Sequence, residues 1–469
     1  MTIEPAVNRR REGAASSAHG GGRAADGPPH ALGVWSCTAL VIGNIVGAGF
    51  FLVPAALAPY GAVALIGWVV IAVGALSLGI VFVRLSRLMP ETGGPYAYVR
   101  SAFGDFAGFL AAWGYWIAIW ASLPAIALAI VDYMHVFVPG FGDVPLSNTI
   151  IALIAMWAVA LANMLGVKEA GRIQLILVGT KLVPLLAVSL LGLLWVDWGQ
   201  FTPINPSSMP FFLALSATAP LIMFAFAGME SATVPASDVK NPRRTIAIAT
   251  IAGTLTAVVI YVTGTMSTMG IIGLDALAKS NAPFADAATD IWGPVAGYIM
   301  AAAVILSSLA ALNGWTLLMS QVPLAASRHG LLPKIFSELN RNGVAAKGIA
   351  LSVSLSTAIL LMQVSGAKAL IEIYDFIVDL SMTVYMVPFV FCCFAEGVIL
   401  RNLGRDVSVM GTRRHLPIAM LAFVFSMWTI YGSGPQAALW GLLLLLLGVP
   451  VYVKLKTGLQ AVASQPGED

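Results

Sequence analysis

The sequence predicts an all-α polytopic membrane protein of about twelve transmembrane helices, with its first and sixth spans broken near mid-membrane. Three observations carry this expectation. Of 469 residues, 59% are hydrophobic and only 10% charged, and the mean hydropathy is +0.88; a soluble domain carries about a quarter charged residues. Lys and Arg fall on alternate connections between apolar runs. The stretch "GNIVGAGFF", residues 43–51, puts Gly43, Gly47 and Gly49 where unpaired backbone groups are most costly.

Residues 1–30, with "RREGAASSAHGGGRAADGPPH", lack an apolar stripe and read as a disordered cytoplasmic tail. The first apolar run begins near residue 33 and is too long for the core of a cleaved signal. Spans are expected near 33–58, 61–86, 104–137, 149–166, 173–195, 210–236, 245–270, 291–322, 346–363, 368–399, 416–433 and 436–455. The tail carries Arg9, Arg10, Arg11 and Arg23. Connections after even-numbered spans carry Arg87 and Arg100, Lys168 and Arg172, Lys240 with Arg243 and Arg244, Arg328 through Lys347, and Arg401 through Arg414. Connections 138–148 and 196–209 have no Lys or Arg, and Lys279 and Lys368 are exceptions. Both termini are therefore expected in the cytoplasm. The basic-loop bundle points to the cytoplasmic (inner) membrane of a bacterium, because outer-membrane proteins are barrels.

Five spans per half reverse the orientation of the second half, so if the halves are repeats they are inverted. Repeats of that kind place broken helices around a substrate site. Span 6 reads "MFAFAGMESATVPASDVKNPRR", in which Gly228 interrupts the apolar run and Glu230 brings a carboxyl near mid-membrane. Pro54 follows the first break as Pro235 follows the second. Close helix packing through small residues is the alternative for either glycine cluster.

Cys37, Cys392 and Cys393 have neither disulfide-framework nor metal-ligand spacing and read as packing residues. His19, His30, His135, His329 and His415 are scattered in the tail, at span ends or in loops. No metal, cofactor or nucleic-acid partner is expected. Neither the nucleophile–base pair of an intramembrane enzyme nor the filter sequence of a channel is visible. A receptor that binds without transporting stays open.

The stretches "GNIVGAGFFLVPAALA", "GGPYAYVRSAFG", "FAFAGMESA", "VKNPRRTIAIATI" and "NGWTLLMSQ" resemble the amino acid–polyamine–organocation superfamily. The likeness spans residues 32–455 and is greatest to the bacterial basic amino acid/polyamine antiporters, the group that includes arginine/agmatine exchangers. It implies a five-plus-five inverted repeat followed by two C-terminal helices. The corresponding units are 31–200, 201–400 and 401–469. Relatives also imply a homodimer in the lipid bilayer.

At the breaks, helix-start amides of Gly47, Ala48 and Gly49 suit a substrate carboxylate. Carbonyls of Ile45 and of Phe224 to Ala227, beside Gly228, suit an ammonium group. By resemblance, Phe224 and Trp315 are aromatic gates over the substrate, and Tyr115 and Glu230 form part of a cytoplasmic-side gate. Its third member is Phe389 here, which loses a hydrogen bond unless Tyr385 substitutes. An ionisable group inside a bundle is a functional candidate, and Glu230 is the one expected to couple protons to transport. Lys181 resembles the span-5 lysine of neutral amino acid permeases, whose ammonium stands where sodium-coupled relatives bind sodium.

Glu372, Asp375 and Asp379 share one helix face by spacing. Asp379, the deepest, is a candidate partner for a cationic side chain, with a bridge to Lys181 or another helix as the alternative. Ser381 matches a substrate-lining serine, whereas Leu123 replaces an asparagine that contacts the guanidinium group. The resulting expectation is a secondary active transporter working by alternating access. It would exchange basic amino acids or polyamines, of arginine/agmatine, lysine/cadaverine or ornithine/putrescine type. A neutral amino acid permease or proton-coupled symporter is the alternative.

Overall fold

The computed structural model describes residues 32–91, 93–138, 145–166, 181–234, 236, 239–364, 370–404 and 412–463. The expected tail, Lys168, Arg172, Pro235 and Lys368 lie outside the described residues, as does the side chain of Glu372. Among the described residues, nine helices are long and apolar enough to cross a membrane, and three shorter apolar helices accompany them.

In chain order the helices are α1 (Val34–Ile45), α2 (Ala48–Leu57), α3 (Ala62–Leu88), α4 (Pro95–Met134), α5 (Pro145–Met164) and α6 (Lys181–Trp195). There follow α7 (Phe211–Phe226), α8 (Pro242–Ile272), α9 (Leu274–Leu277), α10 (Pro283–Trp292) and α11 (Pro294–Arg328). The chain ends with α12 (Ala346–Val364), α13 (Leu370–Asn402), α14 (Thr412–Gly432), α15 (Gly434–Leu446) and α16 (Gly448–Ala463). Prolines at the first helical turn open α4, α8, α10 and α11, where a missing N–H costs nothing.

The central helix is α4, whose spanning part is wholly buried and packs on both α11 and α13. Gly104, at φ 85° and ψ −175°, separates the first turns of this helix from the rest, which places the start of the span where the apolar pattern does. Pro124 interrupts the helix interior and deprives the Trp120 carbonyl of its donor. Ser356 of α12 supplies the replacement, its Oγ donating to that carbonyl at 2.5 Å. A buried carbonyl left without a donor would cost about 1–3 kcal/mol, so this bond is what lets a proline sit in the core of the bundle.

Span 6, expected over 210–236 with an interruption at Gly228, is a helix only in its first part. The α-helix stops at Phe226, Ala227 turns to ψ 135° and Gly228 takes φ 101°, after which the chain proceeds through turns and a short 3-10 segment, Ser231–Thr233. Its far end returns to the start of α1, where the Lys240 amide donates to the Leu32 carbonyl at 2.9 Å. Near the start of α4 Asp105 joins Arg100 at 3.1 Å and Lys456 at 2.6 Å, tying α16 to α4.

Candidate functional site

The first break is a tight turn between two helices. Val46, at φ −77° and ψ 67°, has the geometry of an inverse γ-turn, closed by the Gly47 amide donating to the Ile45 carbonyl at 2.7 Å. The Gly47 amide is thus engaged within the turn, and the helix-start amides that follow belong to Ala48 and Gly49 at the head of α2. Carbonyls freed at the end of α1 are taken from the side. Lys181, fully buried on α6, donates to the carbonyls of Gly43 at 3.1 Å and of Val46, and Ser307 Oγ reaches the Val46 carbonyl at 3.3 Å. An ammonium group there meets the negative end of the α1 dipole.

The second break is held from two sides. The Gly228 amide donates to Tyr385 Oη at 3.1 Å, while Ser231 Oγ donates to the Gly228 carbonyl at 2.5 Å. Beneath it Tyr115 Oη donates to Glu230 Oε1 at 2.6 Å, and both residues are buried. Tyr385 lies against the same carboxyl and stacks on Tyr115 with ring centroids 5.6 Å apart. Phe389 packs on Tyr385 at 4.6 Å and on Phe82 at 4.7 Å, so the polar position beside the break belongs to Tyr385 and Phe389 backs it as an apolar ring.

Between the breaks is a small cavity of about 20 Å³, room for roughly one water molecule. Ile45 and Gly47 line it from the first break, Phe224 and Ala227 from the second, Ile119, Ser122 and Ile126 from α4, Trp315 from α11, and Met382 and Tyr385 from α13. Phe224 and Trp315 are each only 6% exposed, and a space of this size takes no more than a water unless the side chains around it move.

The structure gathers Ile45, Gly47, Phe224, Ala227 and Trp315 around this space, with Gly228, Glu230, Tyr115 and Phe389 clustered through Tyr385 at the second break and Lys181 behind the first. Ser381 is buried but outside the cavity wall, as is Leu123. Asp379 is one turn before Met382 on α13, within electrostatic reach of Asp375 and Tyr60. Lys181 spends its donors on backbone carbonyls rather than on Asp379.

Asn44 joins the wall without having been singled out by its sequence. It is 2% exposed, and neither Oδ1 nor Nδ2 meets a partner among the described residues. Gly228 and Gly314 make room for it, since a Cβ at Gly228 would come within 2.9 Å of Asn44 Cβ and one at Gly314 would overlap Asn44 Oδ1. Its only signal is its place inside the nonamer, a polar amide in an apolar run.

Two interrupted helices meeting around a small cavity within an apolar helical bundle are the arrangement of a solute carrier, and the relatives of this chain are transporters rather than enzymes. The fold is similar to that of MhsT, solved in complex with L-phenylalanine, with a TM-score of 0.65 over 87% of this chain and 100% of that one, at 14% identity. The chain belongs to the amino acid permease family, whose profile matches residues 32–451. It is 32% identical to the cadaverine/lysine antiporter of Escherichia coli K12 over 393 residues, 81% of this chain and 87% of that protein. It is 29% identical to the putrescine transporter PotE of the same strain over 422 residues, covering 90% and 95% of the two. PotE of Haemophilus influenzae is 27% identical over 424 residues, covering 90% and 96%.

Proposed function

We propose that this permease exchanges basic amino acids and diamines across a bacterial inner membrane by alternating access, with lysine and cadaverine as the leading pair. The carrying observation is a cavity lined from both breaks, with Phe224 and Trp315 in its wall. The α-carboxylate would take the amides at the head of α2, and the ammonium the carbonyls facing the cavity. A distal cation would lie against the faces of Trp315, Phe224 and Tyr385, which attract it without a carboxylate. Asp379, with Asp375 and Tyr60, would meet the cation on its outward path. The names of the antiporter and PotE relatives support this substrate class.

Nine long and three shorter apolar helices support twelve spans. We read 31–200 and 201–400 as inverted repeats and 401–469 as the C-terminal helix pair, with both termini cytoplasmic. Lys181 at the end of α1 supports a sodium-independent cycle, its ammonium occupying the carbonyls a cation would need.

Reconstitution into liposomes with labelled lysine, arginine, cadaverine, putrescine and leucine tests the reading. Uptake of lysine that requires internal lysine or cadaverine is expected, with no dependence on sodium. Good transport of leucine with failure of every cation would overturn the cationic class, an outcome that the apolar side chains of Ile119, Ile126 and Met382 make worth measuring. Glu230→Gln is expected to flatten the pH profile of exchange; a profile identical to wild type would remove the proton-coupling role.

A further inference from the structure

Two carbonyls beside the proposed amine site are held by one side chain that the cavity wall does not include. Tyr261, from the middle of α8, has its Oη 2.5 Å from the Ile45 carbonyl oxygen and 3.1 Å from that of Ala225. The first carbonyl ends α1, and the second belongs to the last turn of α7. A single atom therefore spans the two breaks from behind.

The ring is fixed. It is fully buried, stacks on Phe50 with centroids 4.0 Å apart and planes at 26°, and packs against Trp68 at 5.3 Å and edge-on to Phe226 at 5.5 Å. Phe50 comes from α2 and Phe226 from α7, so each broken span contributes a wall to the slot that holds the phenol. A tyrosine hydroxyl has one proton. It can be given to the Ile45 carbonyl or to the Ala225 carbonyl, not to both at once. An arriving ammonium brings three.

We propose that Tyr261 is a positioning residue of the substrate site. Its hydroxyl sets the spacing of the two breaks and serves one carbonyl at a time, and the substrate ammonium completes the set by taking the other. When the ammonium takes the Ile45 carbonyl, the phenol proton rotates to the Ala225 carbonyl with no movement of heavy atoms. This rests on the reading that the cargo carries an ammonium group bound between the breaks.

The test is Tyr261→Phe in proteoliposomes, with lysine and cadaverine measured separately. We expect the KM of both to rise about tenfold, the worth of roughly one hydrogen bond, with the maximal rate within about twofold of wild type. Cadaverine has no carboxylate, so an equal rise for both places the defect on the ammonium side. An unchanged or lowered KM overturns the proposal, as does a rise for lysine alone. A merely structural role would reduce the amount of protein in the membrane and the maximal rate while leaving KM in place. Should Y261F fail to reach the membrane, Phe50→Leu loosens the stacked ring, and a smaller KM rise for both substrates is expected; none overturns the proposal. A wild-type chain that carries leucine and neither cation would refute the cationic reading alone. Leucine presents the same α-ammonium, and its KM in Y261F then decides the role of Tyr261 by the same criterion.

Discussion

At the first break two α-helices meet across one γ-turn, and what ties the loose ends arrives from remote parts of the chain: Lys181 on α6, Tyr261 on α8 and Ser307 on α11. The second break is largely self-tied. Gly228 adopts φ 101°, and the hydroxyls of Ser231 and Thr233 donate to the carbonyls of Gly228 and Glu230 three residues back, at 2.5 and 2.6 Å. From other helices, the tyrosines Tyr385, Tyr261 and Tyr115 reach it, the last through the Glu230 carboxyl. The contrast separates two ways of stabilising an interrupted helix inside a membrane. One depends on a buried charge placed by the tertiary fold, and the other on backbone conformations and short polar side chains written into the segment itself.

The largest expected effect comes from removing the charge. Lys181→Met withdraws the donor from the Gly43 and Val46 carbonyls, and each buried carbonyl left short costs about 1–3 kcal/mol. Exchange should fall about a hundredfold, with a lower midpoint of thermal unfolding. A variant that keeps more than half the wild-type rate would show that the α1 terminus needs no ammonium.

The next effect tests the second break. Gly228→Ala forces a side chain into φ 101° and brings its Cβ within 2.9 Å of Asn44 Cβ, a combined strain of about 1–3 kcal/mol. Transport initial rates should drop about tenfold or more. The smallest effect is expected from Gly47→Ala, because Gly47 at φ −115° is open to any residue and the tight contact of the new Cβ is with Ala311 Cβ, at 2.7 Å, the Asn44 carbonyl standing at an ordinary 3.4 Å. Adding Ala311→Gly should restore G47A, while no trimming of Asn44 should fully restore G228A. Equal rescue of both would erase the distinction drawn between the breaks.

Both breaks are legible in the sequence because interruptions fall at corresponding places in spans 1 and 6, each followed by a proline and the second beside Glu230, whereas glycines such as Gly74 and Gly253 only admit a neighbouring side chain. The facing of individual helical positions is not. Leu123 was expected to bear on the substrate, but Ser122 lines the cavity; Ser381 was expected, but Met382 lines it. Each is a displacement of one residue, about 100° around the axis. In helices apolar on nearly every side, periodicity does not fix rotation, because buried helices have no polar face to orient them. The run of Glu372, Asp375 and Asp379 shares one face by spacing, yet nothing local says that this face meets Tyr60 rather than the cavity. Lys181 was visible as an oddity, but its carbonyl partners are 138 and 135 residues away. Tyr261 stands in "AVVIYVTGT", a stretch with no feature to distinguish it from packing.

The 20 Å³ cavity also bears on the electrical life of the membrane. Moving one elementary charge down a potential of 100 mV releases about 2.3 kcal/mol. A carrier with a continuous wet path would act as a resistor across that potential. Here the space between the breaks holds little more than one water, with Glu230 and Tyr115 buried to one side of it and Phe50 and Phe51 packed in the first turn of α2. A space of that size holds no column of water along which ions could pass. In this conformation, charge that passes between the breaks must ride on a side chain or on cargo.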